Sequence, residues 1–266
     1  MIAELVVPFA LTALAGLSTG IGSAIALIVR RANKSFLSLG LGFSAGVMIY
    51  ISFVELLTSA RSGLAVQFGN TRGNALAVGA FFAGMLFIGF IDRLIPSFEN
   101  PHDAKADNAL DAIPQDAKLL RMSVLTAVAV GIHNFPEGLA TFVSAVANPR
   151  HGAAVAVAIA LHNIPEGIAI SVPLYYATGS RKKAFTWSFL SGLAEPVGAA
   201  FGYAVLRVLI SEASMGAVNA AVAGIMVFIS LDQLIPNAHE YGKGHLPIYG
   251  LVSGMAVMAA TLLALA

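Results

Sequence analysis

Two stretches of this 266-residue chain decide its fold: GIHNFPEGLATF, from Gly131 to Phe142, and ALHNIPEGIAIS, from Ala160 to Ser171. Each sets a His, an Asn and a Glu around a Pro inside a long apolar run, and His133 and His162 stand 29 residues apart. A hydrocarbon core about 30 Å thick is crossed by roughly 20 consecutive apolar residues of helix. The polar groups of both motifs therefore fall near the middle of membrane spans rather than at their ends.

The composition agrees. The chain is 58% hydrophobic and 11% charged, with a mean hydropathy of +0.82, far from the balance of a soluble domain. Eight runs are long enough to cross, approximately 5–29, 36–58, 74–96, 122–147, 152–178, 185–209, 214–237 and 246–265. They predict an all-α integral membrane protein with one transmembrane domain over residues 1–266, because the alternation of barrel strands is absent. No basic segment precedes the first run and no small-residue cleavage site comes before Arg30, so that run is expected to stay as a helix rather than leave as a signal peptide. Cysteine is absent, which excludes disulfides, thiolate metal sites and thiol catalysis. A net charge of +1 gives no signal for nucleic acid.

Orientation follows from Lys and Arg. With the N-terminus outside, the inner connectors collect Arg30, Arg31, Lys34, Arg93, Lys105, Lys118, Arg121, Arg181, Lys182, Lys183 and Lys243. The outer ones hold only Arg61, Arg72, Arg150 and Arg207. The positive-inside rule then predicts a multi-pass protein of the cell (inner) membrane with both termini on the outer side. The one long connector, about 97–121, carries Glu99, Asp103, Asp107, Asp111, Asp116 and His102, and reads as a solvated cytoplasmic loop rather than a metal collector.

The chain also repeats itself. AGVMIYISFVELL (Ala45–Leu57) matches AGIMVFISLDQLI (Ala223–Ile235) at six of thirteen positions, and GLSTGIGS from Gly16 parallels GLAEPVGA from Gly192. Spans one and two thus resemble spans six and seven. An offset of five spans makes the copies run in opposite directions, and the fourth and fifth spans are antiparallel copies around their shared motif. Inverted repeats are a transporter signature, with the substrate site near the midplane where the halves meet.

On a helix, His133 and Glu137 are four apart and share a face with Asn134 beside them, and His162, Glu166 and Asn163 do the same. Pro136 and Pro165 deprive the carbonyls of Ile132 and Leu161 of their usual donors and predict kinks. Gly138 and Gly167 remove bulk where a neighbouring helix or ligand comes close. Glu195, followed by Pro196, is a third mid-span carboxylate. Each carboxylate at the bilayer centre costs about 2.5–3.5 kcal/mol on the insertion scale. Yet every Lys and Arg sits at a span end or in a connector. The countercharge must come from protons or a bound cation. Imidazole with carboxylate and amide oxygen, and no sulfur, suits Zn²⁺ and its first-row neighbours Fe²⁺, Mn²⁺ and Co²⁺. Two sites are conceivable: one of imidazoles and the PEG glutamates, and a harder one of amides and glutamates with Glu195 added.

On these residues the chain resembles the ZIP family of divalent metal transporters, and within it the bacterial ZupT-type zinc transporters. The resemblance covers the eight spans, the long loop after the third, HN-x-PEG in the fourth and fifth, and SGLAEP in the sixth. It implies a 3+2+3 arrangement of helices and a binuclear centre between helices four, five and six. Carried over, His133, Glu137, His162 and Glu166 look like a zinc-type site, and Asn134, Glu137, Asn163, Glu166 and Glu195 like an iron-accommodating one. It also implies uptake of Zn²⁺, and with it Fe²⁺, Mn²⁺, Co²⁺ or Cd²⁺, into the cytoplasm. The metal is then cargo rather than a catalytic cofactor. In some relatives a second-span residue joins the first site; Met48 stands there, and packing is the better reading of it. Glu55 and Asp232, at the outer end of span two and the inner end of span seven, read as groups that attract or release cations. Asp92 beside Arg93 reads as a local ion pair. His239, Glu240 and His245, in the last inner loop, read either as receivers of the metal or as solvated groups. A homodimer stays open, because the small-residue faces suit packing within one chain or between two.

Two other classes compete. An intramembrane metalloenzyme calls for H-E-x-x-H, with the Glu beside the first His; here it stands at the far end of the motif. A proton-coupled carrier of an organic solute leaves the paired His and Asn unexplained.

Overall fold

The computed structural model describes residues 2–28, 34–94, 115–209 and 212–265. All regular structure among them is helical: α1 (Ile2–Ile28), α2 (Lys34–Ile51), α3 (Leu57–Phe68), α4 (Asn70–Leu94), α5 (Gln115–Ala147), α6 (Pro149–Thr178), α7 (Arg181–Gly192), α8 (Ala194–Leu209), α9 (Glu212–Ile229), α10 (Ile235–Tyr241) and α11 (Leu246–Leu265). Two π turns, Ser52–Leu56 and Ser230–Leu234, join α2 to α3 and α9 to α10 without a break. Six of the resulting rods are long and apolar enough to cross a membrane: Leu5–Ile28, Ser38–Phe68, Asn70–Ile91, Pro149–Thr178, Ser214–Tyr241 and Leu246–Ala264. The 33-residue α5 and the α7–α8 pair lie where the sequence predicts the fourth and sixth spans.

Several helices outrun their apolar cores. Residues 59–73, expected as a connector, are helical except at Gly69, whose φ of 79° makes the turn into α4. The reason is amphipathic: Ala60 and Leu64, four apart, pack on Ala77 and Ala220. α5 starts at Gln115, so the end of the 97–121 segment is helix. Glu99, His102, Asp103, Asp107 and Asp111 lie outside the described residues. His239 and Glu240 belong to α10 rather than to a loop. The sixth span breaks at Leu193, between Gly192 and Pro196; Pro196 cannot donate to the Gly192 carbonyl, so the helix is weakest there. Turn chemistry elsewhere is conventional. Asn148 caps α6 through Oδ1 with Pro149 in the first helical position, and Gly179 ends it in the left-handed region at φ 63°.

The bundle divides into two packed groups. α1, α5, α6 and α7–α8 form one; α2–α3, α4, α9–α10 and α11 form the other. Contact between the groups runs chiefly through α2 on α6. The repeats therefore do not make two compact halves but interleave, each contributing one span to the first group.

The inverted symmetry is visible in backbone contacts. Gly16 and Gly192 each lie against the other's carbonyl oxygen. Gly22 of α1 abuts the Ile164 carbonyl of α6, and its counterpart Gly198 of α8 abuts the Phe135 carbonyl of α5. Gly84 lies on the Ala221 carbonyl and Gly224 on the Phe81 carbonyl. The two π turns match as well. In each, the first serine donates to the methionine carbonyl four residues back, Ser52 to Met48 at 2.6 Å and Ser230 to Met226 at 2.8 Å.

Candidate metal centre

α5 and α6 carry the two motifs, and both run as helix through their prolines. α6 is among the most buried of the rods, whereas α4 and α11 lie at the periphery. Ser44 of α2 donates to the His162 carbonyl at 3.3 Å, in the turn loosened by Pro165. The PEG glycines are contact points: a Cβ on Gly138 would overlap the Glu195 carbonyl, and one on Gly167 the Thr19 carbonyl. α5 is thereby drawn onto α8 at the third carboxylate, and α6 onto α1.

Asn134, Glu137, His162, Asn163 and Glu195 are fully buried, and Glu166 is 2% exposed. The side chain of His133 is not among those described; its backbone lies on α5, one turn before Glu137, in the register of His162 to Glu166. His162 Nε2 and Glu137 Oε2 are 3.0 Å apart, joining α6 to α5. Asn163 Nδ2 donates to Glu195 Oε1 and, at 3.0 Å, to the Ala15 carbonyl, joining α6 to α8 and α1. Asn134 Nδ2 donates to the Ser191 carbonyl at 3.2 Å, joining α5 to α7.

Both motif amides are thus pinned by their nitrogens, which fixes where their oxygens point. Asn134 Oδ1, Asn163 Oδ1 and Glu195 Oε2 are buried and accept no hydrogen bond from the described residues. An oxygen buried without a donor costs about 1–3 kcal/mol. Oxygens held this way beside imidazole are the donor set a divalent cation takes. Among the described residues no group of three or more His, Cys, Asp or Glu side chains is placed to hold a metal ion. The cluster consists of paired polar side chains spread over three helices.

Of the remaining sequence candidates, Met48 is fully buried in the main apolar core together with Met226. Glu55 and Asp232 both lie on π turns. The Asp92 side chain is not described. Two residues escaped the sequence reading. His151, the third residue of α6, brings its Nδ1 to 3.5 Å from Glu55 Oε1; no spacing links them, because the pairing is tertiary. Thr19, fully buried, is the counterpart of Glu195 in the first repeat, and the GLSTGIGS/GLAEPVGA alignment holds that signal.

Fold and site together define a multi-pass helical membrane protein built around a buried centre of carboxylate, amide and imidazole groups. Residues 97–262 match the family model described as ZIP Zinc transporter. The chain is 58% identical over 255 residues to a zinc transporter ZupT of Streptococcus mutans, covering 96% of each sequence. It is 56% identical over 257 residues to that of Chlorobium chlorochromatii, again covering 96% of each. With that of Nitratidesulfovibrio vulgaris it shares 56% identity over 264 residues, covering 96% of this chain and 95% of the relative. The chain belongs to the ZIP zinc transporter family. That family is one of transporters, so the intramembrane-enzyme reading falls away.

Proposed function

We propose that this protein carries Zn²⁺, and with it Fe²⁺, Mn²⁺, Co²⁺ or Cd²⁺, across the cell (inner) membrane into the cytoplasm. The observation that carries the proposal is the set of buried oxygens of Asn134, Asn163 and Glu195 left without donors next to the His162–Glu137 pair. The relatives' printed descriptions as zinc transporters support zinc as the cargo. His133, Glu137, His162 and Glu166 form the zinc-type half of a binuclear centre. Asn134, Asn163 and Glu195 complete the harder half, with Glu137 and Glu166 bridging. Both termini face outward, as the distribution of Lys and Arg favours, and the spans follow the 3+2+3 order.

The mechanism follows from where the ligands sit. All seven belong to α5, α6 and α8, within one of the two packed groups. Sliding that group against the other exposes the cluster to one side and then the other. An arriving ion loses part of its water shell and gains carboxylate, amide and imidazole ligands. Protonation of the carboxylates on the inner side favours release, because ligation requires them deprotonated and the imidazoles neutral.

The test is Zn²⁺ uptake into proteoliposomes holding a trapped fluorescent indicator, with wild type compared to Glu166→Ala. Saturable uptake that the substitution abolishes in a folded protein is the expected result. Wild-type liposomes no leakier than empty ones, across an imposed pH gradient and both voltage polarities, would overturn the proposal.

A further inference from the structure

Away from the central cluster, the bundle holds a cavity of about 520 Å³ between the π turn of the second span with α3, the start of α6 and the start of α9. The orientation proposed above makes this the outer end. Glu55, His151 and Asn219 line the cavity, with Ser59, Ser62 and Met215 in its walls. The three polar groups come from segments remote in sequence, so the cavity is a product of the fold.

Each group has a reason to be there. The π turn Ser52–Leu56 inserts one residue, which rotates the side chains beyond it by about 100° relative to an unbroken helix. Phe53 is exposed on the outside of the rod, whereas Val54 and Glu55 line the cavity. His151 is set by the Asn148–Pro149 start of α6. Its Nδ1 lies 3.5 Å from Glu55 Oε1, and the two side chains are 55% and 20% exposed. That separation is beyond a good N–H···O hydrogen bond, so the pair is adjacent without being closed. Asn219 gives the independent observation: it is 7% exposed, and its Oδ1 accepts no hydrogen bond from the described residues. A strut between α6 and the second span would account for His151 and Glu55 but not for that oxygen. Arg61, on the same helix α3 but outside the lining, is committed elsewhere, its Nε donating to Asn74 Oδ1 at 2.6 Å. Arg150, beside His151, is exposed.

We propose that this cavity is a second cation site, a capture site in which His151, Glu55 and the oxygen of Asn219, brought to the cavity by a turn of its amide, take a divalent first-row ion such as Zn²⁺ before it moves to the central cluster. One imidazole, one carboxylate and one amide oxygen match the preferences of that ion, with water completing the shell. Three protein ligands on an open cavity hold it weakly, as a loading step requires, since the ion must leave again. The loading role rests on the transport reading; the binding itself does not.

The experiment has two arms. In the first, purified Glu166→Ala, which disables the central cluster, is titrated with Zn²⁺ by calorimetry. One weak site is expected to remain, and adding His151→Ala or Glu55→Gln is expected to weaken it at least about tenfold. If Glu166→Ala does not fold, wild type is compared with His151→Ala, and the weaker of two binding steps is the one lost. In the second arm, proteoliposome uptake by His151→Ala is expected to fall about five- to tenfold at trace Zn²⁺ and to recover as Zn²⁺ is raised. Zn²⁺ binding unchanged by His151→Ala in the titration overturns the site. Uptake equal to wild type at every Zn²⁺ concentration overturns its loading role. If wild type transports nothing, the transport reading fails, and the titration still decides this one.

Discussion

Thr19 and Glu195 occupy equivalent places in the two inverted repeats, each offering its carbonyl oxygen to the PEG glycine of a motif helix, Gly167 for Thr19 and Gly138 for Glu195. The backbone is therefore close to two-fold while the donor set is not. α8 contributes a buried carboxylate; α1 contributes a hydroxyl at the same point. The cluster gains its third carboxyl group on one side only, where Asn163 from α6 reaches over to bond it.

The glycine contacts yield the first prediction. Gly138→Ala and Gly167→Ala each place a methyl group against a neighbouring backbone that cannot yield as a side chain would. Overpacking of this kind costs about 1–3 kcal/mol and separates the helices that hold the ligands. Both variants should melt lower in detergent and lose uptake. Gly79→Ala, where a Cβ meets nothing, should do neither. Equal melting of all three would remove the assigned role of the PEG glycine.

Selectivity follows from the His162–Glu137 pair at 3.0 Å. His162→Ala removes imidazole from the proposed zinc-type half and leaves the amides and Glu195 in place. Zn²⁺ uptake should fall at least about tenfold, with Fe²⁺ uptake reduced less, because oxygen ligands suit the harder ion. Uptake of labelled zinc and iron in competition measures the ratio. A loss equal for both metals would argue against two chemically distinct halves.

Much of this was legible in the sequence, and for identifiable reasons. A mid-span Glu with no Lys or Arg nearby in the chain must be compensated, so Glu137, Glu166 and Glu195 announce a centre before any coordinates exist. The period of the apolar runs gives the rods, and the copies of GLSTGIGS and AGVMIYISFVELL give their inverted order. What was hidden is tertiary. The stretch from Ser59 to Phe68 is too polar to read as span, yet Ala60 and Leu64 find a partner face on Ala77 and Ala220. The π turns leave no mark in periodicity over five residues. Nothing local ties His151 to Glu55, and nothing local says that the first and sixth spans pack with the fourth and fifth.

The π turns can be probed through their serines. Ser52 and Ser230 are fully buried, and each hydroxyl satisfies a carbonyl in the preceding turn. Ser52→Ala and Ser230→Ala should each cost about 1 kcal/mol, read as a small, similar fall in melting temperature. Deleting Val54 should do more. It returns the second span to α-helical register and shifts Glu55 by one place, away from its position beside His151, so zinc uptake should drop at trace concentrations while the protein still folds. Unaltered uptake by the deletion variant would show that the register of Glu55 does not matter.

The last prediction concerns acid. Metal ligation at the cluster needs ionised carboxylates and neutral imidazoles. Lowering the pH from about 7.5 to about 5.5 therefore weakens Zn²⁺ binding, because protons compete with the ion for the same oxygens and nitrogens. An ion that binds only the folded protein stabilises it by about 2.7 kcal/mol at a concentration one hundred times its dissociation constant. The sign is then fixed. Zinc should raise the melting temperature at the higher pH, the rise should shrink as the pH falls, and a chelator should abolish it at either pH. Glu137→Ala combined with Glu166→Ala should show almost no zinc-dependent rise at any pH. Thermal melts with and without Zn²⁺ across that range provide the measurement. A rise independent of pH, or one surviving the double substitution, would mean that the stabilising ion sits somewhere other than the HN-x-PEG cluster.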